Sequence, residues 1–368
     1  MATTVLQRRS SALTRNRLPR FAPWAALAVA LVVGAAAASL VGFSLFGWGI
    51  FAAIAFTVVY AGWSAAVEGP RKAKDKLATC LVVGAFLIAL LPLVSVLWTV
   101  VVEGLKGLTT PGFLGTSMNG VSGIQDNESV NNGTHVLGGI YHALMGTLLI
   151  TLWATIISVP IGLLTSIYLV EYGNGRPLAK AITFFVDVMT GIPSIVAGLF
   201  AAAFFATLLG PGTKTGFVAA VALSVLMIPV VVRSSEEMLR IVPNELREAA
   251  YALGVRKWRT VLKVVIPTAI SGIASGVTLA IARVIGETAP ILVTAGFATK
   301  INLNVFSDWM SSLPTFIYTQ ILNPTSPSNP DPSTQRAWGA ALVLIIFVML
   351  LNLIARLIAR VFAPKTGR

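Results

Sequence analysis

Runs of about twenty apolar residues recur along this chain, and no other feature of the sequence limits its fold so severely. A helix needs about 20 mostly apolar residues to cross a bilayer. Lipid offers no partner to a backbone N–H or C=O left unbonded, so a chain of this kind crosses as helices. Eight stretches qualify: residues 22–42, 45–66, 77–101, 141–169, 181–208, 217–233, 269–295 and 337–358. They predict an all-α polytopic membrane protein, with the first two helices joined as a hairpin through Gly42 and Gly47. Charged residues make up only 11% of the chain, against about 25% in a soluble domain.

The formal net charge of +13 is placed as an orientation device. Lys and Arg cluster at Arg8, Arg9, Arg15, Arg17 and Arg20, at Arg71, Lys72, Lys74 and Lys76, at Arg176 and Lys180, between 233 and 263, and at Arg356, Arg360, Lys365 and Arg368. Eight crossings put all of these on one side and leave only Lys106, Lys214, Lys300 and Arg336 on the other. That asymmetry predicts cytoplasmic termini, and it assigns the basic charge to topology rather than to nucleic acid. A secretory signal is the rival reading of residues 1–42, but the apolar run exceeds a signal core and its removal would leave an odd number of spans. The Arg8-Arg9 pair reads as plain basic flanking.

Cys80 is the only cysteine, so no intramolecular disulfide forms, and no Cys/His metal cluster exists. His135 and His142 fall near the outer surface as isolated polar residues. The sequence divides into 1–66, a basic tail with two helices, and 67–368, a six-helix core. Two polar segments of that core, 103–139 and 299–336, are expected outside the cell as irregular loops, being rich in Gly, Asn, Ser and Pro. Loops of this length usually carry a task, and contact with an external partner is the expectation.

Residues 234–267 form the largest cytoplasmic segment. Within it, PNELREAAYALGVRKWRTVLKVVIP (243–267) predicts a short helix after Pro243, with Glu245 and Glu248 near its positive end. Leu246, Ala249, Ala250 and Leu253 follow i, i+3, i+4, i+7 spacing, and Gly254 offers a left-handed stop. A second short helix, 258–266, should end at Pro267. The stripe is narrow and centred on alanines, which suits close approach to a grooved protein better than anchoring in lipid. Glu248, Ala249, Ala250, three residues, Gly254, nine residues and a close on Pro267 resemble the EAA loop of ABC importer permeases, with Val264 and Ile266 where Ile and Leu are common. The resemblance implies a coupling helix, Glu248, Ala249, Ala250, Leu253 and Gly254, seated on a separate ATPase. The chain has no Gly-Lys dipeptide and hence no phosphate loop of its own, so ATP and Mg are expected on the partner and no cofactor here.

Residues 282–290, ARVIGETAP, place Arg283 and Glu287 four apart in an apolar run. On one continuous helix they would share a face. From the residues alone, the pair is equally an intrahelical ion pair that pins packing or part of a path for a charged solute, since ionisable groups in spans default to function. Gly286 and Pro290 would loosen the helix nearby, and Gly191 and Pro193 would break or kink span 181–208. ARVIGETAP followed by ILVTAG is similar to the fifth core helix of the phosphate-transporter permeases, a binding-protein-dependent type I family, in its A-type form. GIPSIVAGLF (191–200) and WGAALVLIIFVMLLNLIAR (338–356) strengthen the likeness, which covers about 75–368. It implies a six-helix type I core preceded by two extra N-terminal helices. It further implies a bacterial cytoplasmic membrane location, a homologous second permease, an ATPase dimer, an external phosphate-binding protein, and inorganic phosphate as substrate. Arg283, Glu287 and Thr288 are then expected on the path, with Arg283 touching phosphate through its planar fork of donors. Importers of sulfate, molybdate or phosphonate, and a proton symporter using Glu287, are the alternatives.

Overall fold

Every apolar run becomes helix. The computed structural model describes residues 18–173 and 175–362, and among the described residues there is no strand. Arg8, Arg9, Arg15, Arg17, Lys365 and Arg368, counted in the charge argument, lie outside the described residues. Among the described residues seven helices are long and apolar enough to cross a membrane, and one bent pair makes eight if it is counted as a single span.

The chain groups into two units, Met1–Trp98 and Thr99–Arg368. In the first, α1 (Ala22–Val41) and α2 (Leu45–Glu68) form the expected hairpin. Ala22, Ala26, Ala30, Gly34 and Ala38 are its buried row. A Cβ on Gly34 would lie 2.6 Å from the Ala52 backbone nitrogen, so only a small row permits this approach. Ser44 caps α2 by accepting from the Gly47 N–H at 3.0 Å. α3 (Pro70–Leu108) then runs for 39 residues, well beyond the expected 77–101.

In the second unit, α5 (Tyr141–Ile167) continues as a π-helical turn (Tyr168–Tyr172), and α6 (Pro177–Thr190) and α7 (Ser194–Leu209) follow. The expected break of span 181–208 at Gly191 and Pro193 is this pair, bent by 107°. The central helix is α8 (Gly216–Ile241), the most buried of the spans. Ile150 and Ala154 of α5 pack with Ala219, Leu223, Met227 and Val231 of α8 in the largest core cluster. A Cβ on Gly162 would meet Val231 Cγ1 at 2.7 Å, so α5 and α8 touch closely near the far end of the pair as well.

The segment 234–267 contains α9 (Asn244–Ala252), α10 (Lys257–Thr260) and a π-helical turn (Val261–Val265) that leads without interruption into α11 (Ile266–Ile285). The expected stop at Pro267 does not occur. Pro267 falls at the junction where the π-helical turn passes into α11, and the helix continues past its missing N–H. α12 (Ala289–Thr294), α13 (Leu313–Leu322) and α14 (Asp331–Phe362) complete the chain.

Neither long polar segment is the irregular loop expected. The first contains α4 (Gly123–Asn132), whose Ser122–Gln125 capping box supplies the start signal, and the second contains α13, capped by Ser312 and Thr315. Arg336, expected on the side opposite the basic clusters, is buried with Asp126 at 2.6 Å. Its guanidinium also reaches Gln320 Oε1, the Leu137 carbonyl, and the hydroxyls of Thr325 and Ser333. Asn127 accepts from Ser326 and Asn329, tying the two segments a second time. His142 is likewise buried, edge-on to Phe316, rather than at the surface.

Candidate functional site

Two spans are broken, and the residues singled out for transport sit at the breaks. α6 stops at Thr190 because Pro193 has no N–H to donate and disfavours helix at Ile192. Gly191 and Pro193 are both exposed at this bend. α11 stops at Ile285, with Gly286 as its cap and Glu287 and Thr288 between helices. Pro290 then occupies the first turn of α12. The two breaks belong to packed neighbours: a Cβ on Gly198 of α7 would lie 2.6 Å from Pro290 Cα. Thr288 lines a cavity of about 620 Å³ with Ile195, Leu292, Pro314 and Tyr318.

The i, i+4 ion pair of Arg283 with Glu287, one of the two readings open from the residues, does not form, because the helix ends between them. Among the described residues neither takes part in an ion pair. Arg283 is exposed and Glu287 half-buried. Depth follows from the packing of α11 on α8. Gly272 faces Met238 and Gly276 faces Ser234, so the two helices run in opposite directions. Two turns further out, Arg283 reaches the level of Met227, near the middle of α8. Its neighbour Val284 shares the Met227 core cluster. Arg283 therefore stands level with the middle of α8, with its side chain exposed among the described residues.

The 243–267 segment forms as expected in part. α9 begins after Pro243, and Gly254 adopts φ +74° beyond it. The predicted apolar stripe does not face inward: Leu246, Ala249 and Leu253 are exposed, Leu253 at 83%, and only Ala250 is buried. Glu248 is exposed too. The inward charge is Arg247, paired with Glu171 of the π-helical turn after α5. Partial desolvation, then the Glu171 carboxylate, push the Tyr251 phenol above its ordinary pKa. A second network joins Asp187 of α6 to Arg233 of α8, Arg233 to Glu236 at 3.0 Å, and Glu236 to Arg240 at 2.7 Å. Asp187 is thus an ion-pair partner near the end of α6. Among the described residues no group of three His, Cys, Asp or Glu could hold a metal ion.

Residues 158–368 match the family model described as "Binding-protein-dependent transport system inner membrane component". The chain belongs to that family. Its relatives include the phosphate transport system permease protein PstA 1 of Mycobacterium tuberculosis (strain CDC 1551 / Oshkosh), 48% identical over 288 residues, covering 78% of this chain and 89% of that one. The PstA protein of Mycobacterium leprae is 47% identical over 283 residues, covering 77% and 88%. That of Yersinia pestis is 34% identical over 295 residues, covering 80% and 92%. Among solved structures, the inward-facing MetNI methionine ABC transporter aligns with a TM-score of 0.48 at 21% identity, over 61% of this chain and 94% of that one. As an inner membrane component of a transport system, the chain is a multi-pass permease and not an enzyme. Both helix breaks and the whole α9 segment fall inside the matched region.

Proposed function

We propose that this chain is a membrane subunit of an ATP-driven importer of inorganic phosphate, supplying half of the translocation path beside a homologous second permease. Arg283 carries the reading. A charged side chain at the centre of a spanning helix costs about 2.5–3.5 kcal/mol on insertion scales. This one is exposed level with the middle of α8, with no acidic partner among the described residues, so water or another protein surface must meet it. A planar fork of N–H donors that stays charged when desolvated suits a phosphate oxyanion. The names of the relatives, from three bacteria, favour phosphate as the solute.

Glu287, no longer tied to Arg283, is free to accept from a protonated phosphate or to pair with a cation of the second permease. Thr288 and the breaks at Gly191, Pro193, Gly286 and Pro290 would border the path, because non-helical backbone at depth is tolerated where it lines water or protein. On the cytoplasmic side, the exposed face of α9, with Glu248, Ala249, Leu253 and Gly254, would seat on an ATPase subunit that binds ATP and Mg. The outer layer built on Asp126 and Arg336 would receive an external phosphate-binding protein. Both termini would be cytoplasmic. Uptake of radiolabelled phosphate into proteoliposomes, with and without the ATPase, tests the whole reading. ATP-dependent uptake that excess sulfate leaves unchanged is the expected result. Uptake without the ATPase would point to a symporter, and suppression by sulfate to another oxyanion.

A further inference from the structure

α9 is almost detached from the body that it would have to move. Of its nine residues, seven are exposed; only Arg247 and Ala250 turn inward. The chain is also free to pivot at both of its ends. Val242 and Pro243 enter it in extended conformation, and Gly254 leaves it in the left-handed region at φ +74°. A push on such a helix would be spent in swivelling unless a side chain held it.

Arg247 is placed to do this, and all five of its N–H groups are engaged. Nε and Nη2 donate to Glu171 Oε1 at 3.0 and 2.8 Å, and Nη2 also donates to the Leu239 carbonyl at 3.0 Å. Nη1 donates to the Val242 carbonyl at 2.7 Å and to Asn244 Oδ1 at 3.3 Å. Glu171 stands on the π-helical turn that ends α5, and Leu239 and Val242 stand at the end of α8. The two longest-packed helices of the unit are thus gripped by one side chain from α9. The Glu171 side chain is only 4% exposed and that of Arg247 12%, so the pair is sheltered from solvent screening.

We propose that Arg247 is the positioning residue that converts displacement of α9 into joint displacement of α5 and α8, with Glu171 as its seat. This rests on the reading of α9 as the contact with an ATPase, and the two fail in different ways. A lysine at 247 keeps one charge but lacks the fork, and so holds at most one helix at a time. Glutamine at 171 keeps an acceptor without the charge.

The test uses the assembled transporter in proteoliposomes and reads ADP release and radiolabelled phosphate uptake from the same preparation. Arg247→Lys and Glu171→Gln should each raise the ADP released per phosphate moved by about tenfold or more, the scale of a lost charge-assisted hydrogen bond. A residue that only stabilises the fold would lower assembly and both rates together, leaving the ratio unchanged. In parallel, a photoreactive maleimide on Leu253→Cys, in a Cys80→Ser background, should cross-link to the ATPase. Cross-linking with an unchanged ratio in both variants overturns the role of Arg247 alone. Absence of any cross-link overturns the docking of α9 itself and the clamp with it.

Discussion

Arg283 and Arg336 carry the same group into opposite surroundings, and their duties differ accordingly. Arg336 is sealed against Asp126 with every remaining donor satisfied by Gln320, Leu137, Thr325 and Ser333. It is a rivet between the two outer segments, and its worth is conditional. Removing one partner of such a pair leaves an uncompensated buried charge at about 3–5 kcal/mol, whereas replacing both with apolar groups is often neutral. Asp126→Ala should therefore lower the unfolding temperature of the purified protein in detergent sharply. Asp126→Leu combined with Arg336→Met should recover most of that loss. Additive losses in the double variant would refute the rivet. Arg283, by contrast, has no such shell, and its removal should leave the unfolding temperature close to that of the wild type.

Helix existence was legible in the sequence, because an apolar run of about twenty residues has few other fates in lipid. Helix ends were less so. Pro193 marked its break correctly, yet Pro267 marked no stop, since the helix continues through it at the junction of the π-helical turn and α11. Pro290 did interrupt the run, but the stop fell at Ile285, which separated Arg283 from Glu287. The capping box at Ser122 was readable and went unread under the Gly and Asn around it. The site was legible wherever it is local, as in α9 and Gly254. It was illegible where it joins distant positions, as Arg247 with Glu171, 76 residues apart, or Asp187 with Arg233. The contact between the breaks also depends on an unremarkable glycine. Gly198→Ala drives a methyl group onto the Pro290 backbone and should destabilise the protein by about 1–3 kcal/mol. Gly84→Ala, which meets open space, should not. Equal unfolding temperatures for the two would show that α7 and α12 do not need to meet so closely.

The positive-inside charge pattern predicts one orientation, with α9 on the cytoplasmic side and α4 and α13 outside. In a Cys80→Ser background, a cysteine at the exposed Ser328 should react with a membrane-impermeant maleimide added to intact cells. One at Leu253 should react only after permeabilisation. The reverse pattern would invert the protein. Within this topology the account depends on a guanidinium level with the middle of α8 that meets the solute directly. The deciding measurement is ATP-dependent phosphate uptake by an assembled transporter carrying Arg283→Gln. Loss of a charge-paired donor costs about 2–5 kcal/mol, so uptake should fall by roughly 30-fold or more with assembly intact. Uptake at the wild-type rate in that variant would contradict the account.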